Sequence, residues 1–325
     1  MDFKLFHYIL ILIFSFSSVF LITPYIIYLS KKRNIYDIPN ERKKHISPIP
    51  RMGGLAILFG FVSGLLFLLI FNKSDFVNQN QGYILFTLLC YFLIFFLGFL
   101  DDLKPISPFL RLLFQFLIAT ISWVGVVRIK GMFFSINLLE SFLTIDSDFL
   151  SYFFTVIWIV GVINAINWID GIDTLLIGLT CIYSLTFSIL SYLNNNPLQG
   201  FLSLLMFFSC LGFFKYNCSP AKIMLGDGGS YLIGLYLSNS ALSYGDISGV
   251  INPFLVISLL FLPVVDMVRV IFQRIYDRKS PFYPDRNHLH YLLLDNGIPL
   301  IRCLYILFSI TLSISICNII TQLKT

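Results

Sequence analysis

Charge is what this sequence has least of. Asp, Glu, Lys and Arg make up 12% of its 325 residues, roughly half the share of a soluble domain. With 57% hydrophobic residues and a mean hydropathy of +0.84, an ordinary soluble globular chain is excluded. Internal repeats and long linkers are missing too; "NQNQ" at 78–81 and "NNN" at 194–196 read as short polar turns. The six cysteines (Cys90, Cys181, Cys210, Cys218, Cys303, Cys317) show no CxxC spacing, and most lie in apolar runs. They read as small buried hydrophobes rather than metal ligands or disulfides. No basic segment precedes the first apolar run, 6–29; "KKR" at 31–33 follows it. That order is the reverse of a signal peptide, so a retained first span is expected. A net charge of +5 gives no reason to expect a nucleic-acid partner, and the 35 phenylalanines read as packing and lipid-facing bulk.

What is present is a series of apolar runs long enough to cross a bilayer core, about 17–25 residues each. They lie near 6–29, 53–71, 82–100, 109–127, 149–168, 174–193, 198–214, 229–244, 252–272 and 300–320. The expected fold is therefore an all-α polytopic membrane protein with about ten transmembrane helices, one integral membrane domain over 1–325. Two runs, 198–214 and 229–244, are short enough to tilt or re-enter. Basic residues stay on the cytoplasmic side. All 22 Lys and Arg except Lys4, Lys73, Arg128, Lys130 and Lys324 fall in, or at the span ends beside, one set of alternate loops. That set is expected to be cytoplasmic, with both termini outside.

The polar stretches "DIPNERKKHISPIPRMGG", "LDDLKP", "NAINWIDGID", "MLGDGGS" and "SPFYPDRNHLH" all fall in that set of loops. Five polar loops on one face point to an active site there. Asp101 and Asp102 are neighbours at a span end, about 100° apart on a helix; they cannot share one ligand but can serve two partners. Their mutual repulsion calls for a nearby cation. The competing reading is two solvated carboxylates. Asn164, Asn167, Asp170 and Asp173 are spaced by three, and each step drifts about 60° backwards. All four cannot line one face of a straight helix, so Gly171 is expected to break it and turn the later residues into a site. Helix capping alone is the plainer reading, at a cost for so many polar groups. Asp227 stands between glycines before an apolar helix, where a backbone can approach phosphate and a helix N-terminus attracts anions; an ordinary turn is the rival. Arg286, His288 and His290 suit diphosphate binding. A zinc pair lacks a third ligand nearby, and a basic loop is the plain alternative. The Lys/Arg-rich stretch before span two reads as positive-inside charge or as capture of an anionic headgroup. Asp266 and Arg269, three apart in span nine, read as an internal ion pair with a role in the site left open.

Together these stretches resemble the polyprenyl-phosphate N-acetylhexosamine-1-phosphate transferase family (glycosyltransferase family 4). The match runs in family order from Asp37 to about Gly297. The "SPFYPDRNHLH" loop is similar to the undecaprenyl-phosphate GlcNAc-1-phosphate transferase branch. The resemblance implies transfer of N-acetylhexosamine-1-phosphate, GlcNAc-1-phosphate first, from a UDP-sugar to undecaprenyl phosphate. UMP is released, and lipid-linked surface-glycan, lipopolysaccharide or cell-wall polymer synthesis begins. It implies Mg²⁺ or Mn²⁺ held by Asn167 and Asp227, and Asp101, Asp102 and Asp170 as catalytic carboxylates. Asn164, Asp173, Arg286, His288, His290, His45 and Lys104 are implied substrate contacts. The partners would be the UDP-sugar, the polyprenyl phosphate and the bilayer, in a multi-pass inner-membrane protein; a homodimer is left open. Two positions depart from the family pattern: Thr174 stands where D-G-x-D-G has its second glycine, and Tyr291 replaces the last histidine of H-x-H-H. They bear on sugar preference and rate. The muramoyl-pentapeptide branch carries three consecutive histidines, which this loop lacks. A secondary transporter would want ionisable groups near the midplane and matching halves.

Overall fold

The computed structural model describes residues 2–37, 48–71, 80–136, 139–145, 147–244, 249–283 and 285–324. It is helical along most of its length: α1 (Asp2–Lys32), α2 (Gly53–Phe71), α3 (Gln81–Leu103), α4 (Pro108–Gly125), α5 (Asp148–Ile169), α6 (Leu175–Leu193) and α7 (Pro197–Asn217) come first. Then follow α8 (Gly226–Ser243), α9 (Pro253–Leu259), α10 (Phe261–Tyr276), α11 (Leu289–Asp295) and α12 (Leu300–Lys324). Among the described residues eight helices are long and apolar enough to cross a membrane, or nine if the bent α9–α10 pair is one span.

Local sequence explains several boundaries. Ser107, Asn196 and Asn252 each precede a proline and cap a helix start, accepting the N–H of Leu110, Gln199, and Phe254 and Leu255. Proline at the first helical position gives up only a donor that would be orphaned anyway. The expected straight span over 252–272 is instead two helices meeting at 92°. Pro263 accounts for the break: it has no N–H for the Leu259 carbonyl, and its ring crowds that oxygen.

The eighth expected span, 229–244, is α8, which is not one of the helices that are long and apolar enough to cross a membrane. It is the centre of the bundle, with every residue from 228 to 242 buried, packed on α2, α3 and α5. Its small residues allow that: a Cβ on Gly234 would lie 2.7 Å from the Ile163 Cα. Close backbone approach through small residues is how helices associate where water gives no driving force.

The stretch between α4 and α5, expected to be loop, holds a hairpin. β3 (Gly131–Ile136) pairs antiparallel with β4 (Leu139–Thr144), and β5 (Val250–Ile251) adds parallel to β3. At the opposite end of α5, β1 (Tyr36–Asp37) and β2 (Ile49–Pro50) form a short antiparallel pair. That end carries the polar motifs.

Candidate active site

Three backbones meet to build the site. The segment after β2 zips along the residues before α8. Met224 N–H donates to the Pro50 carbonyl (2.8 Å), Gly53 N–H to Met224 and Gly54 N–H to Leu225 (both 2.9 Å). A Cβ on Gly54 would lie 2.3 Å from the Gly229 Cα, and one on Gly98 of α3 would lie 2.4 Å from the Asp227 carbonyl oxygen. The glycines of "RMGG" and "GDGGS" thus let helices touch; for those around Asp227 the sequence suggested approach to phosphate. The anion at the α8 N-terminus is the protein's own. Asp102 accepts the N–H groups of Asp227 (2.8 Å) and Gly228 (3.1 Å), satisfying two orphan donors at the positive end of the helix.

Arg51 sits at the junction. Its Nε is 2.8 Å from Asp102 Oδ1, its NH2 is 3.0 Å from Asp227 Oδ2, and its NH1 is 3.7 Å from Asp37. Burial opposes its charge, but Asp227, Asp102, Asp37 and Asp170 outweigh burial and push its pKa above the ordinary value. It is a fixed cation. The other Asp227 oxygen, Oδ1, accepts Asn167 Nδ2 at 2.9 Å, and the same amide donates to Ser230 Oγ at 2.9 Å.

The two adjacent aspartates do serve different partners. Asp101 turns to α4, accepting Ile106 N–H (2.7 Å), Arg111 (3.0 Å) and the Tyr231 hydroxyl (3.3 Å). Helix α5 ends at Ile169, where Gly171 was expected to break it. Asn164 stays on the helix and donates to Gln115 Oε1 at 2.7 Å. Asp170 is the C-cap, and Asp173 accepts Ala221 N–H at 3.0 Å in the turn beyond. Thr174 has φ +74°, a left-handed conformation that suits glycine. Its hydroxyl donates to the Asn217 carbonyl (3.3 Å) and accepts Ser219 N–H (3.2 Å), which offsets some of the strain.

The opposite wall comes from the segment between α10 and α11. His288 Nδ1 lies 2.8 Å from Asp266 Oδ2, and Arg269 donates to Asp266 Oδ1 at 2.7 Å. The ion pair of span nine therefore also aims a histidine. Arg274 grips Asp285 with two hydrogen bonds of 2.9 and 3.1 Å and packs 4.7 Å over Trp168. Burial opposes the Asp285 charge, but Arg274 and the Asn287 N–H hold its pKa below the usual carboxylate range. Tyr291 donates to the Gly171 carbonyl at 3.2 Å. His290 is buried against Gly171; neither ring nitrogen has a hydrogen-bond partner among the described residues. Burial first, then His288, pushes its pKa down to about 3, so it is neutral.

Two cavities, of 610 and 290 Å³, share a wall made of Arg51, Asn167, Asp170, Gly171 and Asp227. Asp173 lines the larger one; Asn164, Arg111, Arg274 and His288 line the smaller. Of the remaining expected residues, Asp101 and Asp102 stand behind the wall and line neither cavity. Lys104 is exposed and lines neither. Arg286 also lines neither; it is paired with Asp295 at 2.7 and 3.1 Å. His45 lies outside the described residues. Sequence reasoning did not single out Arg51, Arg111, Arg274 or Asp37 for the site. Arg51 stood in a motif already quoted, between two prolines and two glycines.

No group of three or more His, Cys, Asp or Glu side chains fit to hold a metal occurs among the described residues. The donors on the shared wall are all hard oxygens: the Asp227 and Asp170 carboxylates and the Asn167 amide oxygen. That set fits Mg²⁺, which keeps water and takes one or two carboxylates plus substrate phosphates.

Residues 84–245 match the model of glycosyl transferase family 4. The chain is 32% identical to a Bacillus subtilis protein named "probable undecaprenyl-phosphate N-acetylglucosaminyl 1-phosphate transferase", across 100% of this chain and 88% of the relative. It is 30% identical to the undecaprenyl-phosphate alpha-N-acetylglucosaminyl 1-phosphate transferase of Thermotoga maritima, across 84% and 77% of the two chains. It is 29% identical to the decaprenyl-phosphate N-acetylglucosaminephosphotransferase of Mycobacterium tuberculosis, across 80% and 69%.

Proposed function

The chain belongs to glycosyl transferase family 4, and from that membership we propose that it transfers GlcNAc-1-phosphate from UDP-GlcNAc to undecaprenyl phosphate. It is a multi-pass membrane enzyme. The observation that carries the reading is the pair of cavities sharing one polar wall, the arrangement a two-substrate transfer needs. The 610 Å³ cavity lies within the usual range for small-molecule sites and takes the nucleotide sugar. The smaller one opens beside the half-exposed Phe282 and Tyr283 and the start of α4, where Phe109 is 78% exposed. Apolar flanks of that kind suit a lipid whose phosphate must reach Arg111 and Arg274. The weight of Lys and Arg in the same loops supports a cytoplasmic position for this end, where nucleotide sugars are made.

An oxygen of the lipid phosphate attacks the β-phosphorus of the nucleotide sugar. The bond from that phosphorus to the bridging oxygen breaks, and UMP leaves. A phosphate monoester has its second pKa near 6, so the nucleophile is already largely dianionic and needs no strong general base. Alignment and charge neutralisation are the burden left to the protein. Arg51, Arg111 and Arg274 supply cationic edges around the shared wall, and Asp170 lies between the two substrates. Asp227 and Asn167 would hold Mg²⁺ or Mn²⁺, which when bound neutralises and orients the diphosphate oxygens. Every oxygen of Asp101 and Asp102 is engaged inside the protein, which supports direct attack over a phospho-aspartyl intermediate.

The test is UMP release from membranes given undecaprenyl phosphate, Mg²⁺ and, separately, UDP-GlcNAc, UDP-GalNAc or UDP-MurNAc-pentapeptide. Release from UDP-GlcNAc that needs both lipid and metal is expected. Release from the pentapeptide nucleotide instead would move the chain to the other branch, and none from folded protein with any donor would remove the assignment.

A further inference from the structure

Arg51 is the only basic residue among the described residues lining the larger cavity. It touches three carboxylates with three different nitrogens and is bidentate to none. Asp227, Asp102, Asp37 and Asp170 all act on its charge.

The three contacts differ in depth. The Asp102 and Asp37 side chains are 2% and 4% exposed, whereas Asp227 is 21% exposed. The backbone at Arg51 is pinned, its N–H donating to Ser30 Oγ and to the Ile35 carbonyl, both at 3.2 Å. The guanidinium thus has a buried anchor at Asp102 and an outer edge at Asp227. Both oxygens of Asp227 are taken, Oδ1 by Asn167 and Oδ2 by Arg51. A cation that takes Asp227 Oδ2 must therefore take the place of the Arg51 NH2.

We propose that Arg51 is a resident counter-cation which yields the outer oxygen of Asp227 to an incoming divalent cation and turns its freed edge to the diphosphate of the nucleotide sugar. The exchange keeps Nε on Asp102, so the arginine pivots rather than leaves. No bond is made or broken; one cation replaces another at a carboxylate, and the displaced one meets the new anion. This makes Arg51 a positioning and substrate-binding residue. It rests on the reading that a nucleotide diphosphate is the donor.

The experiment is Mn²⁺ binding to the purified full chain in detergent without substrate, read by electron paramagnetic resonance, for wild type, Arg51→Gln and Arg51→Lys. Competing ligands at one site couple reciprocally, so removing the competitor tightens Mn²⁺ binding on the order of tenfold in Arg51→Gln. Arg51→Lys keeps a charge but loses the fork, and a smaller tightening is expected. The KM for UDP-GlcNAc rises in both. Unchanged or weaker Mn²⁺ binding in Arg51→Lys overturns the exchange, even where Arg51→Gln fails to fold; so does an unchanged KM. Wild-type protein that binds Mn²⁺ but releases no UMP would instead sink the transferase reading, while the binding comparison still decides the exchange.

Discussion

The carboxylate of Asp102 closes the N-terminus of the helix that carries Asp227, accepting the backbone N–H groups of Asp227 and Gly228 at 2.8 and 3.1 Å. These two aspartates, 125 positions apart, are held as one unit, with Arg51 bridging their side chains. The metal-ligand candidate and its neighbouring carboxylate therefore move together. Four predictions follow from this geometry and from that of the turn after α5.

Asp227→Asn should abolish nearly all UMP release while leaving the melting temperature close to wild type, because Asp227 is the partly exposed member of the cluster. Asp101→Asn should also lose nearly all turnover, but with a lowered melting temperature, since its carboxylate latches α3 to Arg111 and Tyr231. Turnover and thermal unfolding measured on the same preparations separate the two. Full activity in either variant would remove that residue from the assignment.

Gly98→Ala should destabilise by about 1–3 kcal/mol, the range of overpacking. The added methyl would lie 2.4 to 2.6 Å from backbone atoms of Asp227 and Gly228, which cannot swing aside as a side chain does. Activity should fall with it, because α3 and α8 must part exactly where Asp102 meets Asp227. A variant that melts and turns over like wild type would show that the approach is looser than described.

Thr174 should be harder to replace by alanine than by glycine. Alanine keeps the strained positive φ and loses both hydroxyl hydrogen bonds, a cost of about 1–2 kcal/mol. Glycine loses the same bonds but relieves a backbone conformation worth about 1–2 kcal/mol, so it should melt near wild type. Thermal unfolding of the two variants, side by side, checks the order.

His290 should make stability depend on pH. Its folded pKa, near 3, lies below the ordinary value of about 6.5. Between those values the unfolded chain binds a proton that the folded chain does not. Stability is then complete above pH 6.5 and declines as the pH falls toward 3. His290→Phe should flatten the melting profile between pH 6.5 and 4.5 by about one proton; parallel profiles would mean that the folded ring takes up the proton.

Much of this was legible along the chain because it is local. Span-length apolar runs, the break near Gly171 and the polar loops clustered at alternate turns each depend on a few consecutive residues and on the cost of polar groups in lipid. The sequence by itself determined the class of fold and the family, and it picked out most of the polar stretches that line the two cavities. It could not say which partners Asp101 and Asp102 take behind the cavity wall, or that Arg286 is spent on Asp295. Nor could it say that Arg51 joins Asp37, Asp102 and Asp227. Arg286 and Asp295 are only nine positions apart, but the contacts that join Asp102 and Arg51 to Asp227 span more than a hundred, set by how closely glycine lets α2, α3 and α8 approach. The same distance rule explains the hairpin of β3 and β4 with β5, and the central place of α8. Its small and polar residues weaken its apolar signal, yet they are what allow it to pack on three neighbours at once. Which charges neutralise one another was decided only by the tertiary structure, because Coulomb energy depends on separation in space and on burial, and neither is written in the order of residues.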